Sequence, residues 1–213
     1  MMPGIETFPD RSAASRAAAA VLAMALSRRL ATSTEAVVAV SGGTTPRQCL
    51  GELAAHPLDW ARVRVTLTDE RCVPADHPDS NEGMVRRRLL VGRAAAARFL
   101  PLQSAELRAF SAPLACALVG MGEDGHFASV FPDADNLDEA LDLESNACCL
   151  RVRTQASPSA RVSMTLARLL ESDELVLLAF GVSKRRVLEA PGAYPVGHLL
   201  AQTRLPVRVM WAP

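Results

Sequence analysis

The sequence has no excess of either charge. Lysine and arginine together number 23, aspartate and glutamate also number 23, and the formal net charge is zero. A chain without a long-range positive field is not drawn to nucleic acid or to an anionic bilayer. We therefore expect neither of these partners. Any positively charged site has to be local, and Lys184 is the only lysine available to it.

Patterns typical of metal and disulfide sites are also absent. The five cysteines lack CxxC spacing, and the four histidines form neither an HExxH pair nor another spaced ligand set. These absences argue against a zinc site, and the odd number of cysteines argues against a disulfide framework. We expect free thiols in a reducing compartment, the cytoplasm, and no metal.

Long apolar runs are missing as well. The longest uncharged stretch of the alanine-rich N-terminal segment covers residues 17–27, far short of the ~20 residues that span a bilayer. Hydrophobic residues make up 49% of the chain and charged residues 22%, a balance typical of globular proteins rather than disordered ones. The 213 residues fit one domain, which we take to be 1–213.

Short apolar segments alternate with helical patterns along the chain. Such alternation predicts right-handed crossovers between parallel strands. The predicted class is α/β: a single-domain, mainly parallel, doubly wound (Rossmann-like) sheet with helices on both faces. Strands are predicted at 36–40, 63–68, 115–120, 148–152, 174–180 and 207–211, and helices at 12–31, 46–54, 81–90, 159–170, 183–190 and 196–202. Ser12 is expected to cap the first helix.

The segment SGGTTP (41–46) follows the first buried strand. Gly42 and Gly43 allow a tight turn and a close backbone approach to an anion. Thr44 or Thr45 can cap the following helix, so the turn predicts a phosphate-sized nest of amides at a helix N-terminus. It matches neither the GxGxxG nor the Walker pattern, so nucleotide binding is not indicated. The alternative is an ordinary strand-to-helix turn.

The segment TDERCVP (68–74) follows the second buried strand. Charge clusters of this kind usually form solvated turns. Ligands of open parallel sheets bind beyond the carboxyl ends of the strands, however. We therefore expect Arg71 to bind a phosphate or carboxylate while one of the two adjacent acids, Asp69 or Glu70, orients it.

The segment GMGEDGHFASVFP (120–132) follows the strand at 115–120. Its glycines bring Asp124 and His126 onto an exposed loop. An imidazole titrates near neutral pH, and a carboxylate beside it fixes its tautomer. A single histidine is more often structural, but this position favours proton transfer over packing. No GxSxG elbow is present to suggest a serine hydrolase instead.

Together these segments resemble the 6-phosphogluconolactonase family in content and in order. The resemblance extends to NEGMVRRRLL (81–90), ARVSMTLARLL (160–170) and GVSK (181–184), and so covers nearly the whole chain. The segment 160–170 resembles that family's arginine-containing helix entry, with Arg161 as the arginine. The segment 181–184 resembles its glycine-to-lysine turn, with Lys184 as the lysine.

The resemblance implies an enzyme that hydrolyses 6-phospho-D-glucono-1,5-lactone to 6-phosphogluconate in the oxidative pentose phosphate pathway. It implies a general base at His126, oriented by Asp124 or by Asp69, and no cofactor. The phosphate is expected on the amides of Gly42, Gly43 and Thr44, with charge supplied by Arg71, Arg161 and Lys184. The sugar phosphate lactone is the expected partner, and the protein is expected to be a monomer or a weak homo-oligomer.

Two alternatives remain open at this point. The first is a glucosamine-6-phosphate deaminase or isomerase, since those enzymes share the SGG and DGH loops. Their pattern has a tyrosine where this chain has Arg71. It also has Asn-Glu-Pro after the histidine, where this chain reads SVFP (129–132). The acid that assists ring opening is therefore missing from that place. A non-catalytic protein that binds sugar phosphates is the other alternative, and the intact Asp124 and His126 argue against it.

Overall fold

Helices and strands alternate in the computed structural model, which describes residues 3–157 and 159–213. The alternation follows the short apolar segments of the sequence. In chain order the elements are β1 (Ile5–Thr7), α1 (Arg11–Thr32), β2 (Ala36–Val40), α2 (Arg47–Ala54), β3 (Val63–Leu67), β4 (Asp69–Arg71), α3 (Asn81–Arg88), β5 (Arg98–Phe99), α4 (Ala105–Ala109), β6 (Cys116–Val119), α5 (Leu137–Leu141), β7 (Cys149–Val152), β8 (Arg161–Met164), α6 (Leu166–Leu170), β9 (Leu175–Phe180), α7 (Val182–Glu189), α8 (Pro195–Ala201) and β10 (Val207–Ala212).

Seven of the strands form one sheet in the order β1-β10-β9-β6-β2-β3-β5. Every neighbouring pair in it is parallel. The strand order changes direction between β2 and β6, since the chain winds from β2 towards β3 and β5 and later from β6 towards β9 and β10. A crevice opens at such a switch point, beyond the carboxyl ends of the strands.

Helices cover both faces of this sheet. Along β2, Ala36, Val38 and Val40 pack into the apolar cluster that contains α1 and α2, whereas Val37 and Ala39 pack into the cluster that contains α6 and α8. Successive side chains of a strand point to opposite faces, so a strand buried on both sides is apolar throughout. The predicted α/β class, with a mainly parallel doubly wound sheet, is confirmed.

The first helix begins one residue earlier than predicted and is capped by a different residue. Asp10 is its N-cap, and its carboxylate accepts a hydrogen bond from the amide of Ala13 at 2.7 Å. Ser12 lies inside the first turn, so its prediction as the cap was wrong. An aspartate at this position also suits the positive end of the helix dipole.

A second, smaller sheet lies beside the carboxyl end of β3. It has the order β4-β8-β7, and both pairings are antiparallel. The amide of Met164 also donates to the carbonyl of Thr68 at 2.8 Å, which ties this sheet to the end of β3. Strand β7 agrees with the strand predicted at 148–152, but it belongs to this sheet rather than to the parallel one.

The helix predicted at 159–170 was wrong in its first half. Residues 161–164 form β8, and only Leu166–Leu170 are helical. Thr165 separates the two elements and caps α6, because its hydroxyl accepts from the amide of Arg168 at 3.1 Å. The sequence RVSM gains more from pairing with strands on both sides than from continuing a helix. Among the described residues, no helix is long and apolar enough to cross a membrane.

Candidate active site

A cleft of about 200 Å³ lies at the switch point between β2 and β6. The loops that follow β2, β3 and β6 form it, together with the start of β8 and the first turn of α7. Its lining brings together residues far apart in the sequence: Ser41, Gly42, Gly43, Thr44, Thr45, Asp69, Arg71, Asn81, Gly120, Met121, His126, Ala128, Arg161 and Lys184. Eight of the nine predicted site residues are among them, and the ninth, Asp124, lies directly behind His126.

His126 and Asp124 form a hydrogen-bonded pair. The imidazole Nδ1 lies 2.6 Å from Oδ1 of Asp124, and the amide of His126 donates to the same oxygen at 3.3 Å. Partial burial alone would raise the pKa of Asp124, but the hydrogen bonds from His126 outweigh burial and lower it. An ionised carboxylate accepts only, so it holds the proton of the neutral imidazole on Nδ1 and leaves Nε2 as the basic nitrogen.

Gly122 is required by this pair. A Cβ at residue 122 would lie 2.2 Å from Oδ1 of Asp124 and 2.4 Å from Nδ1 of His126. Gly125 adopts a φ of +71°, which favours glycine, and its Cα lies against Tyr194. Gly122 therefore leaves room for the imidazole and its carboxylate, and Gly125 leaves room for Tyr194.

Phe131 packs between His126 and Arg161. Its ring centroid lies 4.1 Å from that of the imidazole, and the Cζ of Arg161 lies 5.1 Å from the centre of the same ring. Phe131 is buried, with 3% of its surface exposed. The ring therefore restricts the orientation of both polar groups. It was not predicted from the sequence, because both contacts depend on the tertiary fold.

The SGG turn is fixed by contacts to its neighbours. Gly43 has a φ of +85°, and Gly42 packs so tightly that a Cβ would lie 1.7 Å from Oδ1 of Asn81. The hydroxyl of Ser41 contacts that of Thr68 at 3.0 Å and accepts from the amide of Gly120 at 3.2 Å. One buried serine thus connects the ends of β2, β3 and β6.

The predicted cap at the start of α2 was wrong. Neither Thr44 nor Thr45 caps the helix; Pro46 is the N-cap residue, and no side chain accepts from the first amides. The amide of Arg47 instead bonds to the carbonyl of Thr44 at 3.4 Å. The turn therefore leaves the threonine side chains to line the cleft.

Arg71 is held at the cleft by Asn81, which the sequence did not single out. The guanidinium donates to Oδ1 of Asn81 at 3.0 Å and to the carbonyl of Asp79 at 2.6 Å, and the amide group of Asn81 donates to the carbonyl of Asp69 at 2.8 Å. Glu70 accepts from the amides of Asn81 and Glu82 at 2.9 and 2.7 Å. Its carboxylate therefore stabilises the N-terminus of α3.

Asp69 does not contact His126, so its prediction as the alternative partner of the imidazole was wrong. Its carboxylate is buried, accepts from the hydroxyl of Ser129 at 2.5 Å and lies 3.8 Å from Nη1 of Arg161. Burial lowers the pKa of Arg161, and the charge of Asp69 opposes this effect. Asp69 therefore positions the guanidinium rather than the base.

Arg161 and Arg71 lie directly opposite one another in the β4–β8 ladder. Opposed residues of an antiparallel ladder project to the same face, and like charges so placed are unfavourable. Arg161 begins a strand, so its prediction as the entry of a helix was wrong. The strand nevertheless places it at the predicted site.

Lys184 reaches the cleft from the first turn of α7 and is half-buried. Burial lowers its pKa, and the nearby charge of Glu123 partly opposes that shift. Within residues 3–157 and 159–213, no salt bridge is formed by Lys184, so its charge remains available to a ligand. Across the same ranges, no group of three or more histidine, cysteine, aspartate or glutamate side chains is arranged to hold a metal ion.

Residues 9–210 match the family model described as glucosamine-6-phosphate isomerases/6-phosphogluconolactonase. A 6-phosphogluconolactonase of Mesorhizobium japonicum is 42% identical over 223 residues, which cover 97% of this chain and 94% of that protein. One of Caulobacter vibrioides is 42% identical over 224 residues, which cover 98% and 97% of the two chains.

The crystal structure of a 6-phosphogluconolactonase from Shewanella baltica superposes with a TM-score of 0.92 at 31% identity and covers 100% of both chains. By sequence and by fold, this chain belongs to the glucosamine-6-phosphate isomerase/6-phosphogluconolactonase family.

Proposed function

We propose that the protein hydrolyses 6-phosphogluconolactone to 6-phosphogluconate. The observation that carries this proposal is the cleft itself, in which a carboxylate-paired imidazole faces the same space as three cationic side chains and a glycine turn. An ester with a remote phosphate needs both parts. The relatives from Mesorhizobium japonicum and Caulobacter vibrioides, both named 6-phosphogluconolactonase and covered almost in full, support the same reaction.

The phosphate binds at the SGG turn. Backbone amides of Gly42, Gly43 and Thr44 donate to its oxygens, as they do in other anion nests. Arg71 and Arg161 supply guanidinium groups, and Lys184 supplies a compact ammonium. This assignment accounts for a local concentration of cations in a chain without net charge.

His126 acts as the general base. With Nδ1 bonded to Asp124, Nε2 removes a proton from a water molecule as the water attacks the lactone carbonyl carbon. Binding the phosphate at a distance holds the ester near this nitrogen, which converts a loose encounter into an oriented one. The imidazolium that forms is stabilised by the ionised Asp124.

Collapse of the tetrahedral intermediate breaks the bond between the carbonyl carbon and the ring oxygen. The departing oxygen takes the proton back from His126, so the base is regenerated, and the carboxylic acid that forms loses its own proton to water to give the product carboxylate. Donors that face the oxyanion contribute roughly 3–4 kcal/mol each in well-studied hydrolases. The amides and cations at the cleft are suited to that task.

We place the enzyme in the cytoplasm as a monomer or weak homo-oligomer. The five cysteines are free thiols, in keeping with a reducing compartment. The phosphorylated lactone is the only partner that the proposed mechanism requires.

The test is the rate of lactone disappearance at mildly acidic pH, where spontaneous opening is slow, with and without the protein. A protein-dependent rate supports the proposal. Release of ammonia from glucosamine 6-phosphate would instead indicate an amino-sugar deaminase. Binding of 6-phosphogluconate without any acceleration of hydrolysis would indicate a protein that only binds sugar phosphates.

A further inference from the structure

A second cleft, of about 230 Å³, lies near the start of β7. Its lining includes the thiol-bearing Cys148 and the cationic residues Arg108 and Arg168, together with Glu171. None of these residues lines the cleft that contains His126. The proposed reaction therefore leaves this second cleft without a role.

The thiol of Cys148 has a second thiol beside it. Sγ of Cys149 lies 3.7 Å from the carbonyl oxygen of Leu102 and 3.6 Å from Sγ of Cys148, and it is the donor in its hydrogen bond to Cys148. This hydrogen bond lowers the pKa of Cys148; burial opposes the effect, and the positive charge of Arg168 lowers the pKa further. The same interaction raises the pKa of Cys149. Cys148 is thus the nucleophilic member of the pair, since the thiolate is the reactive form.

Arg168 is a buried cation in the wall of this cleft, with 5% of its side chain exposed. Its Nη1 contacts Glu171 at 2.6 Å, and its Nη2 donates to the carbonyls of Phe110 and Ala112, both at 3.3 Å. Its Nε has no hydrogen-bond partner among the described residues. The second basic residue, Arg108, is exposed at the rim.

Cys148 and Cys149 are poorly placed to form a disulfide with each other. Their Cα atoms are joined by one trans peptide bond, which fixes them about 3.8 Å apart. Disulfides usually need roughly 4.4–6.8 Å between Cα atoms. Cys149 therefore activates Cys148 but does not displace a thiol bound to Cys148 by forming an internal disulfide.

We propose that Cys148 is a modification site that forms mixed disulfides with small anionic disulfides. The Cys148 thiol releases its proton to water, and the thiolate attacks one sulfur of the disulfide. A bond forms between Sγ of Cys148 and that sulfur as the original sulfur–sulfur bond breaks. The leaving thiolate takes the electron pair and then a proton from water. Arg108, which is exposed at the rim of the cleft, attracts the negative groups of the reagent.

The other cysteines provide internal controls. Cys49 and Cys116 are buried, and burial raises the pKa of Cys49 to about 12. Cys72 is exposed. Exposure alone would therefore make Cys72 react before the half-buried Cys148, whereas the proposal reverses this order.

The experiment treats the whole protein with glutathione disulfide, which carries a net negative charge, at neutral pH. Samples are quenched with acid, and adducts are counted by intact mass and located by peptide mapping. We expect one glutathionyl group on Cys148, added at least about threefold faster than on Cys72. A faster reaction at Cys72, an adduct on Cys149, or an internal 148–149 disulfide would overturn the proposal.

Two comparisons separate the effect of the Cys149 hydrogen bond from the effect of the Arg108 charge. Cys149→Ala removes the donor and should slow the reaction at Cys148, whereas Cys149→Ser keeps a hydroxyl donor and should retain most of the rate. Arg108→Gln should slow the reaction with glutathione disulfide but not with uncharged 2-hydroxyethyl disulfide. Equal rates for the alanine and serine variants, or equal slowing with both reagents, would contradict the proposal.

Discussion

The side-chain amide of Asn81 occupies the space where a side chain at Gly42 would begin. A Cβ at residue 42 would lie 1.7 Å from Oδ1 of Asn81, the same oxygen that accepts from Arg71 at 3.0 Å. The absence of a side chain in the turn after β2 therefore determines where the guanidinium of β4 can be held. The two halves of the proposed phosphate site depend on a single contact.

Gly42→Ala should therefore impair both stability and substrate binding. The added methyl displaces Asn81, which then releases Arg71 and the carbonyl of Asp69. We expect a loss of about 1–3 kcal/mol in the free energy of unfolding, as for other overpacked sites, and a higher KM. Chemical denaturation and steady-state kinetics measure the two effects.

Gly51→Ala is the matched control for this substitution. Gly51 lies within α2, and nothing lies within 4 Å of a Cβ placed there. Alanine should stabilise the helix by roughly 0.5–1 kcal/mol and leave KM unchanged. If the two variants behaved alike, the contact with Asn81 would not explain the role of Gly42.

His126→Ala should lower kcat by about 10²–10⁴, the range expected when a general base is lost. The imidazole is partly exposed, so the free energy of unfolding should change little. His198→Ala, which removes an exposed imidazole of α8, is the control and should retain full turnover. Unchanged turnover of freshly prepared lactone by the His126 variant would rule out the base assignment.

Asp124→Asn tests the carboxylate behind the base through stability at low pH. The hydrogen bonds from His126 outweigh burial and lower the pKa of Asp124, so the folded protein binds this proton more weakly than the unfolded chain does. The resulting stabilisation is fully present above the ordinary pKa of about 3.9 and is lost as the pH falls through the lower value of the folded state.

The expected result is a difference in unfolding free energy between Asp124→Asn and the unmodified protein that is larger near neutrality than at strongly acidic pH. Denaturant titrations at several pH values measure it. A difference that grew as the carboxylate became protonated would have the wrong sign. The variant should also turn over the lactone more slowly, because the tautomer of His126 is no longer fixed.

Lys184→Met should weaken the preference for the phosphorylated lactone over gluconolactone. Loss of one charge-assisted hydrogen bond, worth about 1.5–3 kcal/mol, corresponds to a rise in KM of about 10- to 100-fold for the phosphorylated substrate alone. Arg186→Met, an exposed position on the same helix, is the control. The same ratio of KM values in both variants would remove Lys184 from the phosphate site.

Much of the sheet could be predicted from the sequence because its central strands are buried on both faces. The apolar run at 36–40 was predicted without error, and the run at 207–211 proved one residue short of β10. The segment 161–164 was mispredicted although RVSM alternates polar and apolar residues, because this short run is followed directly by the helical pattern of 165–170. Its strand conformation depends on pairing with β4, about ninety residues away, and that pairing is not visible in local sequence.

The candidate site divides in the same way. The role of Asp124 was predictable, since two residues separate it from His126 in a glycine-rich loop. Asn81 and Phe131 were missed because their contacts join distant segments and because asparagine at a helix start and phenylalanine in a core are common. Ala128, which lines the cleft, was missed as well. Its φ of +48° is a strained conformation for alanine, and the sequence gives no sign of it.

The opposed residues Arg71 and Arg161 place two positive charges side by side on the small antiparallel sheet. Each guanidinium raises the free energy of the other, and an anion that bridges both removes this penalty as it binds. If Arg71 and Arg161 bind the phosphate as proposed, the protein gives up some intrinsic stability in order to recognise its ligand, as is common where function conflicts with local rules. Under the same assignment, a bound phosphate screens the repulsion between β4 and β8, so ligand binding should raise the stability of the small sheet.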